Sequence, residues 1–161
     1  MDIQKERACC FTGHRQIPES ERDALSLLLR KYIRAAAERG YTDFICGGAL
    51  GFDTMAAVTV INLKREYEDI RLFIAVPHAG QSDKWSFSAQ ALYNDILKKA
   101  DGYTVLSDKY TPYCMSVRNR FMVDNASLCF AYLTTEGGGT FGTVKYAERM
   151  GVRVVNLARY L

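Results

Sequence analysis

Short, uninterrupted apolar runs alternate along the chain with longer stretches in which apolar residues recur every three or four positions. A continuous run suits a strand covered on both faces, and the three-to-four spacing suits a helix with one apolar stripe. Residues 7–11, rich in Cys and Phe, form the first run. The stripe Leu25, Leu28, Leu29, Tyr32, Ile33 and Ala36 then predicts a helix, with Ser20 as its cap, Asp23 three residues on, and Gly40 as its stop. Residues 44–46 are the second strand, and the helix after it carries Phe52, Met55, Ala56, Thr59, Val60 and Leu63 on one face. Residues 72–76 are the third strand, followed by a helix over 82–99 with Trp85, Ala89, Leu92, Tyr93, Ile96 and Leu97 turned inward. Residues 103–106 and 128–133 continue the series, with helices near 115–125 and 140–150, and residues 152–157 close it as a sixth strand.

Strict alternation of strand and helix implies a parallel sheet with helices on both faces. The expected architecture is α/β: a Rossmann-like, doubly wound, mainly parallel sheet, built as one domain over residues 1–161. In such sheets ligands bind beyond the carboxyl ends of the strands, near the point where strand order reverses. The segments that follow each strand are therefore where chemistry is expected.

Those segments have a distinctive composition. Thr12, Gly13, His14 and Arg15 follow the first strand, and Gly47, Gly48, Ala49, Leu50, Gly51, Phe52 and Asp53 follow the second. Residues 77–85 follow the third, residues 107–110 and then Arg118, Asn119 and Arg120 follow the fourth, and residues 134–140 follow the fifth. Both histidines, the only tryptophan and most of the glycines fall there, a placement that apolar periodicity does not require. A glycine-rich turn opening a helix presents backbone N–H groups, and the helix dipole adds positive potential, so Gly138, Gly139 and Thr140 suit a phosphate. Gly47, Gly48 and Gly51 admit a close ligand approach or simply a tight turn. Arg118 offers a guanidinium fork for phosphate or carboxylate, with Asn119 beside it.

Other residues keep two readings each. His14 bonds a ribose or caps its own loop, and His78 is structural or merely exposed. Asp53 accepts from a ribose or places a negative charge at a helix start. Trp85 stacks on a ring or plugs the third helix onto the sheet. Glu136 accepts from a sugar hydroxyl, acts as a base, or is an exposed loop acid. Glycines 137, 139 and 142 match the dinucleotide spacing, but in the last unit, with no room for the acidic residue about 20 positions further on. Thr143 stands where a P-loop would carry lysine.

Composition changes this picture little. Lys plus Arg is 21 against 18 Asp plus Glu, and a net charge of +3 does not by itself predict nucleic-acid binding. No apolar run approaches the roughly 20 residues of a membrane span, so no membrane association is expected. The charged opening residues predict no signal peptide. Cys9, Cys10, Cys46, Cys114 and Cys129 show no metal-ligand spacing and read as reduced, mostly buried thiols of a cytoplasmic protein. No metal and no cofactor is expected. Ten tyrosines leave aromatic surface to spare for a homo-oligomer interface.

Four motifs in series carry a resemblance: Thr12-Gly13-His14-Arg15; Gly47 to Asp53; Arg118-Asn119 with Met122-Val123-Asp124; and Gly138-Gly139-Thr140 with Thr143. In this order they resemble the YpsA-like family of the SLOG superfamily, a Rossmann-like group that joins the Smf/DprA DNA-processing proteins to the LOG phosphoribohydrolases. The loop from Gly47 to Asp53 is similar to the DNA-processing branch, and Arg118 followed by Met122 is similar to the hydrolases' arginine motif. Those hydrolases carry a glutamate at the position of Thr143, which supplies no negative charge here; Glu136 is the other carboxylate near the glycine loop.

The leading expectation is a protein that binds or senses a nucleotide or a nucleotide derivative, ADP-ribose-like in kind, with a phosphate site at the carboxyl edge of the sheet. Convergent N–H groups and cations without a complete acid/base set motivate it. One alternative is a nucleoside-monophosphate phosphoribohydrolase using Arg118 and Glu136 on an N-glycosidic bond. A second is single-stranded nucleic-acid binding through tyrosines and a local basic patch.

Overall fold

In the computed structural model, which describes residues 2–161, the apolar runs form one six-stranded sheet in which every paired neighbour is parallel. The strands are β1 (Ala8–Gly13), β2 (Asp43–Cys46), β3 (Arg71–Val76), β4 (Gly102–Val105), β5 (Leu128–Tyr132) and β6 (Arg153–Asn156). Between them run α1 (Glu19–Glu38), α2 (Phe52–Leu63), α3 (Phe87–Lys99), α4 (Cys114–Asp124) and α5 (Gly138–Arg149). The spatial order is β4-β3-β2-β1-β5-β6. The chain thus builds outward from β1 on one side, then returns to β1's other side with β5.

Two cores sandwich the sheet, because successive strand residues face opposite ways. Cys9 and Phe11 of β1, Phe44 of β2, Leu72 and Ile74 of β3 and Phe130 of β5 pack with Leu25, Leu29 and Ile33 of α1 and Ala56, Val60 and Leu63 of α2. Ala8, Cys10, Ile45, Ala75 and Cys129 face the other way, against Met122 and Val123 of α4 and Ala147 of α5. Burying each of the larger side chains contributes roughly 1.5–3 kcal/mol. Phe11 centres the first core, with ring centroids 6.3 Å from Phe44, 6.4 Å from Phe52 and 6.0 Å from Phe130. All five cysteines are buried and free.

Three departures from the sequence pattern bear on the site. First, β1 runs on through Thr12 and Gly13, because these pair with Ala131 and Tyr132 of β5. Second, α1 begins at Glu19 after Pro18, and no side chain caps it; Ser20 lies inside the first turn. Third, α3 begins at Phe87, five residues later than the apolar spacing predicts. Residues 78–85 fold instead into successive turns, closed by Gln81 N–H to His78 O, Asp83 N–H to Gly80 O and Trp85 N–H to Ser82 O. The working cap is Ser86, whose hydroxyl accepts from Ala89 N–H at 3.2 Å. No described helix is long and apolar enough to cross a membrane.

Candidate functional site

The strand order reverses between β1 and β5, and a cavity of about 380 Å³ opens at that point, beyond the carboxyl ends of the strands. Its wall is built from four separate segments. Thr12 and Gly13 end β1 and His14 and Arg15 follow it, Ala49 lies in the loop before α2 and Asp53 in its first turn, Met115, Arg118, Asn119 and Met122 come from α4, and Thr135 with Gly137 to Thr140 from the loop into α5 and its first turn.

The first segment is held in place by the second. Gly13 lacks a Cβ because one there would run into the Phe52 ring, and Phe52 is fully buried at the head of α2. Phe52 N–H donates to His14 O at 3.2 Å. Gly51 sits at φ +80°, and a side chain there would collide with the Arg15 carbonyl. His14 ties the loop to the opposite rim: its Nε2 accepts from Thr134 N–H at 3.0 Å. An accepting Nε2 requires the neutral ring with its proton on Nδ1, and burial lowers the His14 pKa in the same sense.

Arg118 is the most unusual group. It is 5% exposed, and its guanidinium is held by neutral groups. Nη1 donates to the carbonyl of Gly47 and, at 3.4 Å, to that of Ala75, while Nε donates to Asn119 Oδ1 at 2.9 Å. Among the described residues, no carboxylate lies within 4 Å to form an ion pair with it. Gly47 makes the arrangement possible, since a Cβ there would stand 2.5 Å from Arg118 Nη1 and 2.7 Å from Asp53 Oδ2. Burial depresses the Arg118 pKa, and the neighbouring Asp53 charge opposes that effect.

Asp53 is equally buried, and Ala49 N–H donates to its Oδ2 at 3.3 Å. Burial pushes its pKa up to about 6, against the pull of Arg118, the Ala49 N–H and Arg15. The floor therefore carries a permanent cation beside a carboxyl that changes state near pH 6. Opposite it, α5 opens with Gly137 as its N-cap residue and no capping side chain. Added Cβ atoms at Gly137, Gly138 and Gly139 would meet nothing within 4 Å. The first-turn N–H groups of α5 thus border open space, at the positive end of the helix.

Most sequence candidates converge here, but in different capacities. Thr12, Gly13, His14, Arg15, Asp53, Arg118, Asn119, Gly138, Gly139 and Thr140 line the cavity. Gly47, Gly48 and Gly51 stand behind it as the close-packed frame. Thr143 lies apart from the cavity wall: its hydroxyl donates to Gly139 O at 2.8 Å, one turn back along α5. Glu136 is exposed and outside the cavity lining. Trp85 lines a neighbouring cavity of about 820 Å³, to which Arg15 also belongs. Ala49 and Met122 stand inside the motifs quoted from the sequence without being marked there as wall residues, and Met115 marks only the start of a helix; all three line the cavity.

Comparison with known proteins places this geometry in a family. The model described as the YspA SLOG family matches residues 10–153. A UPF0398 protein of Staphylococcus haemolyticus is 31% identical over 115 residues, which is 70% of this chain and 60% of that protein. The chain thus spans about three fifths of that relative's length. An uncharacterised prophage-derived protein of Bacillus subtilis, YoqJ, is 31% identical over 118 residues, covering 66% of this chain and 69% of its own. Among solved structures, DNA processing protein A from Helicobacter pylori, described for its single-stranded DNA binding mode, shares the fold with a TM-score of 0.65 at 13% identity. That likeness covers 93% of this chain and 64% of the other. On the span of the family model, this chain belongs to the YspA SLOG family.

Proposed function

We infer that the protein binds a nucleotide or nucleotide derivative, with a phosphate seated between the N-terminus of α5 and the Arg118 side chain. One observation carries this reading: Arg118 is buried in the cavity floor without an ion-pairing carboxylate. A buried charge that Asp53 alone among the carboxylates offsets, and without direct contact, is costly, so a fold that keeps it at a cavity wall is organised for an incoming anion. The uncapped start of α5 supplies N–H donors facing the same space, and Arg15 adds an exposed cation on the wall. Thr12 and Asn119 give the polar groups a sugar needs. The reading is one of binding or sensing: Glu136 stands off the wall, and Asp53 is the one carboxyl on it among the described residues.

Titration calorimetry with AMP, ADP, ADP-ribose and inorganic phosphate tests this at low salt. Saturable binding that falls about tenfold or more in Arg118→Met and in the exposed Arg15→Ala supports it. Absence of heat at millimolar ligand, with wild-type protein folded, overturns it.

The exposed Tyr110, on the wall of the neighbouring cavity, and the exposed Tyr113, at the head of α4, favour a second reading, single-stranded nucleic acid, and the fold of the Helicobacter pylori protein supports it. A salt-dependent gel shift with an oligonucleotide would promote it; an unshifted band would dismiss it.

A further inference from the structure

We propose that the site continues into the neighbouring cavity, where Trp85 and its aromatic neighbours take a planar heteroaromatic base. The ligand class is then a nucleotide with its base attached, rather than a sugar phosphate or a phosphate ion. This rests on the phosphate reading above and extends it to a second compartment.

Three observations join the compartments. Arg15 lines both cavities, so they adjoin at this residue. The Gly47 carbonyl accepts from Arg118 on the side of the first cavity and from Gln81 Nε2, at 3.4 Å, on the side of the second. A single carbonyl, itself behind both walls, thus joins a lining residue of each cavity, Arg118 of the first and Gln81 of the second. The second cavity, about 820 Å³, falls within the usual range for small-molecule sites, roughly 300–1,000 Å³.

The lining suits a flat ring. Trp85 sets its ring edge-on to Tyr93, with centroids 5.3 Å apart and planes at 76°. His78 and Tyr110 form a second right-angled pair, 5.6 Å apart at 84°. Tyr93 and Ile96 are the residues that seat α3 in the core, while Trp85 stays partly exposed in the turn before it, so core packing does not account for Trp85. Aromatic faces at a cavity wall accept a base by stacking.

Gln81 adds a polar signal. It is more than nine-tenths buried, and its Nε2 is directed to Gly47 O and the Tyr93 hydroxyl. Because Gly47 O can only accept, the amide orientation is settled, and Gln81 Oε1 is left buried without a partner. A native fold rarely leaves such an acceptor unpaired, and Gln81 is one of the residues lining the second cavity. Arg15, Lys84 and Lys109 outnumber Asp83 and Asp108 on this wall, which leaves it net positive toward an anionic ligand.

Trp85 is the only tryptophan, so emission excited beyond the tyrosine absorption band reports this cavity alone. The full chain is titrated with AMP, ADP-ribose, ribose 5-phosphate and inorganic phosphate, following heat and emission together. AMP and ADP-ribose are expected to bind about tenfold or more tightly than ribose 5-phosphate and to change the emission, which ribose 5-phosphate leaves unaltered. Trp85→Leu, and separately the exposed Tyr110→Ala, should reduce AMP affinity toward that of ribose 5-phosphate without affecting ribose 5-phosphate itself. Equal affinity for AMP and ribose 5-phosphate, with unchanged emission, overturns the second compartment and leaves the phosphate site standing. Failure of all four compounds to bind overturns the phosphate reading, and this proposal with it.

Discussion

Asp53 shows how burial and function meet in a single side chain. Its pKa in the folded state is about 6, above the ordinary 3.8, because desolvation outweighs the attraction of Arg118. Between those two pH values the folded chain holds a proton that the unfolded chain has released. Stability contributed by this group is therefore present at low pH and lost as pH rises through about 6, by about 3 kcal/mol in all. His14 works in the opposite direction. Its folded pKa lies below 6.5, so its contribution grows as pH rises. Urea unfolding from pH 4 to pH 8 separates the two when wild type is compared with Asp53→Asn. The variant keeps an acceptor for Ala49 N–H and should show a more positive slope of stability against pH; identical slopes would mean that Asp53 titrates normally.

Glycines in two elements have opposite jobs, and substitution distinguishes them. At Gly47 a methyl group would press on both Arg118 and Asp53, so Gly47→Ala should lose the cavity and a large part of the stability. At Gly139, inside the first turn of α5, a methyl group meets nothing within 4 Å. Gly139→Ala should raise stability by roughly 0.5–1 kcal/mol through helix propensity, yet weaken phosphate binding by intruding on the space before the helix. Thermal unfolding combined with calorimetry checks both; weakened stability at Gly139, or unchanged ligand affinity there, would contradict this assignment. The same elements mark what could be foreseen. Continuous apolar runs such as residues 72–76, alternating with helical stripes, announced buried parallel strands, since helices between strands cover both faces of the sheet. The turn before α3 was not legible, because Trp85 and Ala89 keep a helical spacing with Tyr93 while backbone bonds over 78–85 close turns instead. Thr143 showed the limit at the site: sequence placed it beside the glycine loop, but its helical position turns its hydroxyl back to Gly139 O.

At the scale of the whole molecule, strand order does the assembling. The chain leaves β1 toward β4 and returns to β5, and this reversal brings segments more than 100 residues apart to one crevice. Thr12 to Arg15, the start of α2, Arg118 of α4 and the head of α5 meet only because β1 is central. Sequence motifs revealed those segments individually. What they could not reveal was the division into two cavities that share Arg15 and whose lining residues Arg118 and Gln81 meet at the Gly47 carbonyl, which depends on how the turns after β3 fold. The claim on which the rest depends is that a phosphate sits at the start of α5, above Arg118. A two-dimensional amide NMR titration of the uniformly ¹⁵N-labelled protein with AMP tests it most directly. The backbone amides of Gly138, Gly139 and Thr140, with the Arg118 side-chain Nε–H, should shift together and saturate at one affinity. Shifts confined to other surfaces, or none at millimolar AMP, would contradict it.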